Sequence, residues 1–205
     1  MGTRISIQVC QPNAMIPEGA VQLCVGSWAP VANPKEWKCL WRLSPLSTVD
    51  GGVAVPGLAG VRSFTVENVW QFLKIWPDEP GWKEADALEA FRSTCAIRYP
   101  RGKGKRAVAH HWGGDASRLD YVKARRRIYV PCYLEMLSKP DRVEIISRLR
   151  DLASGTPVYV WDPDSYDIGQ FGMSDPAEAV EFIQKPFAHA FLVALAVQGR
   201  TDSVL

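Results

Sequence analysis

Val66-Glu67-Asn68-Val69-Trp70-Gln71-Phe72-Leu73-Lys74-Ile75-Trp76 is the stretch on which the reading of this 205-residue chain turns. Val69, Phe72, Leu73 and Trp76 recur at helical spacing and form one apolar face. Glu67, Gln71 and Lys74 fall four and three residues apart and make a single polar stripe, with Trp70 beside it. The period predicts a helix from Ser63 to about Trp76, ended by Pro77. As an isolated pattern, the stripe also fits an ordinary solvent face with a weak Glu-to-Lys network.

Outward from this helix, the C-terminal side stays helical. A second helix is expected from about Gly81 to Thr94. A basic loop runs from Arg98 to Gly114 and contains Arg101-Gly102-Lys103-Gly104-Lys105-Arg106. The next helix starts near Ser117 and runs to Leu137, bent by Pro131. Another spans about Lys139 to Ala153, with Pro140 in its first turn and Ser154-Gly155 as its stop. Pro157 to Trp161 reads as a strand, and a Pro/Asp/Gly loop follows to Ser174. A short helix spans Ser174 to about Gln184, and an apolar one spans Phe187 to Gln198, capped by Gly199.

The N-terminal side reads differently. Arg4 to Val9 and Val21 to Val25 alternate at period two, as half-buried strands do. From Gly26 to Gly60 the chain is rich in Pro, Gly, Ser and Trp without a sustained period, which predicts long ordered loops. Val53 to Val55 is a short strand candidate. The expected fold is therefore α+β, a mainly helical single domain over 1–205. Its 1–62 part is rich in strand and loop, and its 63–199 part is helical.

Bulk properties narrow the classes. No run of 18 or more apolar residues spans a bilayer. Five cysteines, an odd number without a CxxC pair, argue against a disulfide framework and a zinc knuckle, and point to a reducing cytoplasm. The net charge is +2, but ten Lys/Arg face only Asp115 and Asp120 between Arg98 and Arg127. Such a surplus attracts phosphates, unless it is simply a solvated face. No Walker loop, GxGxxG, HExxH or GxSxG occurs.

Three further segments carry polar chemistry. Trp161-Asp162-Pro163-Asp164-Ser165-Tyr166-Asp167 puts three carboxylates after an apolar strand, a placement used both by catalytic groups and by turns. In Arg118 to Arg127, Tyr121 could stack on a base or ribose, and Arg125 and Arg126 could bind phosphate bidentately. His110-His111-Trp112-Gly113-Gly114 lacks metal-ligand spacing and reads as structural. His189, in an apolar helix, reads as a satisfied core histidine.

The order of these segments resembles the NADAR family, which includes the YbiA-like N-glycosidases. Val66 to Lys74 resembles that family's Val-Glu-His-aromatic-aromatic-Gln helix ending in Lys, with Asn68 at the His position. Arg118 to Met136 is similar to its Asp-Trp helix, the pair here being Asp120-Tyr121. Leu149 to Gly169 is similar to its Thr-Gly, strand and acidic loop, and Phe187 to Val197 to its closing helix. The resemblance implies a compact, mainly helical fold that hydrolyses N-glycosidic bonds of phosphorylated ribosides, among them ADP-ribose on guanine bases or nucleic acid. It implies Glu67 as the carboxylate facing an oxocarbenium-like cation. Asp164 would be the second carboxylate, with Asp162 and Asp167 as competing positions. It further implies Lys74 as a phosphate ligand or partner of Glu67, Gln71 on the ribose and Tyr121 on the base. No metal or organic cofactor is required. The competing expectation is a non-catalytic nucleic-acid or nucleotide-binding protein that uses the basic 98–127 segment.

Overall fold

The computed structural model describes residues 5–78, 82–113 and 118–205. It is an α+β protein, mainly helical with short strands. The expected helix starts at Gly81 and Ser117 lie outside the described residues. In chain order come β1 (Ile7–Val9), β2 (Val21–Cys24), α1 (Ala29–Ala32) and a 3-10 segment, Lys35–Leu43. Next are β3 (Val53–Ala54), β4 (Arg62–Ser63), α2 (Val66–Phe72), β5 (Lys74–Ile75) and α3 (Glu84–Arg92). Then follow β6 (Ala109–His111), β7 (Arg118–Leu119), α4 (Tyr121–Ala124), a π-helical turn at Arg125–Tyr129 and α5 (Val130–Leu137). The chain closes with α6 (Pro140–Gly155), β8 (Val158–Trp161) and α7 (His189–Gln198). Among the described residues, no helix is long and apolar enough to cross a membrane.

The chain divides into two compact units: residues 1–44 together with 137–205, and residues 45–136. In the first unit, β8 lies between β1 and β2 and runs parallel to both, with Val158 opposite Ile7 and Val21. Parallel pairing needs a crossover, and covers both faces of the sheet. Here α7 packs on β1 and on α6. Eight of the ten residues of α7 are buried, as befits a helix that is apolar all round.

The second unit is built around α2. Its hairpin β3–β4 turns through residues 55–61, with Gly57 and Gly60 at positive φ, and Gly51 and Gly52, also at positive φ, lead into β3. A Cβ on Gly52 would stand 2.8 Å from the Ser63 carbonyl oxygen, so only glycine fits. Arg62 ties the hairpin to Glu135 of α5 through an ion pair of 2.7 Å. A second, three-stranded sheet has the antiparallel order β5-β6-β7.

Helix α2 is shorter than its periodicity suggests. Thr65 is the N-cap, its hydroxyl accepting from the Asn68 amide at 3.1 Å. The helix stops at Phe72, and Lys74 and Ile75 pair with His110 and Ala109 as strand. Pro77 explains part of this, because the residue before a proline is pushed towards extended backbone. Thr65→Ala removes the cap and is expected to cost about 1 kcal/mol in denaturant unfolding. Other expectations are corrected too. Arg118–Leu119 is strand, and the helix expected from Ser117 begins only at Tyr121. The helix expected at Ser174–Gln184 is a 3-10 turn at Pro176–Val180. Within the expected loop of 26–60 lie α1 and the 3-10 segment. Pro131 has no N–H for the Arg127 carbonyl and would clash with it. Just before it the helix widens, and the Val130 N–H reaches the Arg125 carbonyl.

Candidate functional site

The polar stripe is not a solvent face. Glu67 and Gln71 are buried, at 7% and 8% exposure. The Gln71 amide donates to Glu67 Oε1 at 2.9 Å, and Lys74 Nζ donates to Gln71 Oε1 at 2.8 Å. Carboxylate, amide and amine thus form one continuous chain. The amide nitrogen of Gln71 donates to the carboxylate and its oxygen accepts from the amine, which fixes the orientation of the amide. The Glu67 N–H also donates to the Pro45 carbonyl, at 2.9 Å. Although Lys74 has left the helix for β5, the single turn residue Leu73 keeps it within reach of Gln71.

Aromatic rings surround the amine. Lys74 Nζ lies 5.6 Å from the Trp70 ring and 5.8 Å from the Trp76 ring. Trp70 in turn contacts His110 (4.2 Å, stacked), Tyr129 (5.4 Å) and Tyr121 (5.8 Å). Burial lowers the Lys74 pKa to about 8, against the opposing attraction of Glu67. In competitive acetylation followed by mass spectrometry, Lys74 should reach half its limiting reactivity near pH 8. A free lysine side chain does so near pH 10.4. A Lys74 profile matching the exposed lysines would contradict this environment.

Gln71 and Lys74 open onto a cleft of about 400 Å³. Its walls include Trp76, Trp82, Lys83 and Arg101. Trp82 is held by a hydrogen bond of 2.8 Å from its indole to the Phe72 carbonyl, and by a parallel stack on His111 at 4.0 Å. Arg101 belongs to the basic loop, so that loop contributes to the cleft wall.

The other expected residues fall out as follows. Tyr121 is 40% exposed and belongs to the aromatic group around Trp70. Arg125 is completely buried, with its guanidinium 4.3 Å from the Tyr121 ring centroid. It supports that ring from within, while Arg126 beside it is exposed. Asp164 belongs to the first unit and is exposed. Its N–H donates to Asp162 Oδ1 at 2.7 Å, while Asp167 accepts from the Gly169 amide at 2.9 Å, both as turn chemistry allows. Asp162 itself is buried, with its carboxylate 2.9 Å from His189 Nδ1. His189 is the satisfied core histidine expected from its apolar helix, since Nε2 also lies 3.1 Å from the Val25 carbonyl oxygen.

Three features escaped the sequence. Asn68 is fully buried and bonds Ala90, Cys95 and Ile97 through their backbone groups. His110 pairs with Lys74 across β5 and β6. Trp82 and Arg101 join the cleft across intervening chain that carries no motif. Only the eight Trp of the sequence, which offer stacking surface, hinted at such a wall. Among the described residues, no group of three or more His, Cys, Asp or Glu could hold a metal ion.

Fold and site together define a mainly helical α+β protein whose second unit carries a buried carboxylate–amide–amine chain opening on an aromatic cleft. Residues 32–193 match the model of a family of unknown function, DUF6939, and the chain belongs to that family. No curated protein and no solved structure matches it.

Proposed function

We propose that this protein is an N-glycosidase-like hydrolase acting on a phosphorylated riboside. The observation that carries the reading is the Glu67–Gln71–Lys74 chain, whose amide and amine line the cleft. N-glycoside hydrolysis builds positive charge on the anomeric carbon as the C–N bond breaks. A buried carboxylate stabilises that charge strongly, because the surroundings screen it little. Glu67 takes this role and orients the water whose oxygen adds to the carbon, while the departing base nitrogen takes up the proton that this water loses. Gln71 holds Glu67 and hydrogen-bonds the ribose. Lys74 binds the phosphate or keeps Glu67 ionised, and Arg101 and Lys83 add positive charge to the same cleft. Trp70 and Tyr121 offer rings for stacking. The resemblance of Val66 to Lys74 to the NADAR signature supports the same chemistry, with ADP-ribose on a guanine base or nucleic acid as a candidate substrate. The five free cysteines support a cytoplasmic setting.

The test is incubation of the protein with ADP-ribosylated guanosine and DNA, NAD, and 5-phosphoribosyl pyrimidine amines, followed by mass spectrometry. Release of ribose phosphate or ADP-ribose from one of them is expected. No release from any of them contradicts the proposal. A second reading, a non-catalytic nucleic-acid binder, draws on one observation: residues 101–106 of the basic loop are all exposed. That reading requires affinity that falls steeply with salt, with a log–log slope of about −0.7 per phosphate neutralised on single strands. A pocket for one small phosphorylated ligand gives a shallow slope.

A further inference from the structure

His110 is 2% exposed, yet neither ring nitrogen has a hydrogen-bond partner among the described residues. A buried polar atom without a partner has lost its water and gained nothing in exchange, so such groups are rare in a settled core. A phenylalanine would supply the same flat ring against Trp70 without that cost. The imidazole also sits at a particular place. The register of β5 and β6 sets it directly opposite Lys74, and its ring stacks on Trp70 at 4.2 Å. Asn68 nearby satisfies its buried amide with three backbone partners, whereas His111 Nε2 is, like both His110 nitrogens, buried without one among the described residues.

We infer that His110 is a ligand-binding residue of the Glu67–Gln71–Lys74 site, whose imidazole hydrogen-bonds a sugar hydroxyl of the bound riboside. The inference rests on the reading of that site as a riboside pocket. Burial, with the nearby Lys74 charge, pushes the pKa of His110 down to about 3, so the ring is neutral when ligand binds. A neutral imidazole presents one donor and one acceptor. A hydroxyl can serve either, so one bond forms whichever tautomer is present. The charge on Lys74 remains free for the phosphate. The exposed Tyr121 ring lies 6.4 Å from His110 and 5.8 Å from Trp70. It is the side chain that a ligand displaces to reach the imidazole, and a stacking partner once displaced.

The experiment compares wild type, His110→Phe and His110→Leu in thermal melts and in calorimetric titration with ribose 5-phosphate. The leucine variant guards against misfit of the larger ring. The expected result is a split. At least one variant melts roughly 2–4 °C or more above wild type, as removal of unpartnered polar atoms predicts for a chain of this size. The same variant binds ribose 5-phosphate at least about tenfold more weakly, as loss of a buried hydrogen bond predicts. Two foldable variants that keep wild-type affinity overturn the inference and leave the riboside reading intact. Variants that both melt below wild type also overturn it, since the imidazole is then a core element. A wild type that does not bind ribose 5-phosphate overturns the riboside reading, and this inference with it.

Discussion

Asp162→Asn lowers the stability of the protein by about 3–5 kcal/mol, because it leaves a buried imidazolium without its counter-charge. The geometry requires that charge. His189 Nδ1 faces the Asp162 carboxylate at 2.9 Å and Nε2 faces the Val25 carbonyl at 3.1 Å. Both acceptors need a proton from the ring. The same carboxylate accepts the Ala190 amide at 3.0 Å and the Asp164 amide at 2.7 Å. The carboxylate–imidazole pair therefore joins the end of β8, the segment after β2 and the start of α7. Gly26 packs against the pair, where a Cβ would meet both His189 and Asp162 at 3.4 Å. Urea unfolding measures the loss, and a change within about 1 kcal/mol would show that the imidazole is neutral in the fold.

The pair also sets a pH dependence. Burial pushes the Asp162 carboxyl up, but the His189 charge, its hydrogen bond and two backbone amides outweigh this and hold it below the ordinary value. Its stabilisation is present above the unfolded pKa of 3.8 and is lost as pH falls through the lower folded value. Burial pulls His189 down, but the Asp162 charge and hydrogen bonds outweigh it and raise the pKa above 6.5. Its stabilisation is complete below 6.5 and is lost as pH rises through the higher folded value. The full contribution of the pair lies between those limits. In Asp162→Asn, this part of the pH dependence should disappear.

Segments with strong local signals were legible in the sequence. Alternation marked β1 and β2, Val158–Trp161 formed the expected strand, and Pro140 and Gly199 bounded helices where they stood. The second sheet was not legible. Its strands have two or three residues, too few to show a period, and they pair across basic and glycine-containing chain. Periodicity also carried α2 too far, because Leu73, Ile75 and Trp76 are as buried in the turn and short strand that follow α2 as they would be in a helix. The polar stripe was legible as residues and spacing, but its burial was not. Burial depends on Pro45, the aromatic group and β6, all distant in sequence. Asp164 had the composition of a site and the geometry of a turn.

Glu67→Gln carries the largest functional effect. The substitution keeps size and can keep a hydrogen bond to Gln71, so the fold should be retained. It removes the negative charge that the proposed transition state needs, and groups in such roles typically contribute about 10²–10⁴-fold. The amide cannot stabilise an oxocarbenium-like carbon as a carboxylate does. Lys74→Met tests the other end of the chain, where loss of a phosphate ligand raises KM more than it lowers kcat.

The decisive measurement is kcat/KM of wild type and Glu67→Gln on the riboside that the wild type cleaves, with matching thermal melts. The account predicts a fall of about 10²–10⁴ in the variant at unchanged melting temperature. Turnover within about threefold of wild type would show that Glu67 does not face the reacting carbon, and would contradict the proposed chemistry.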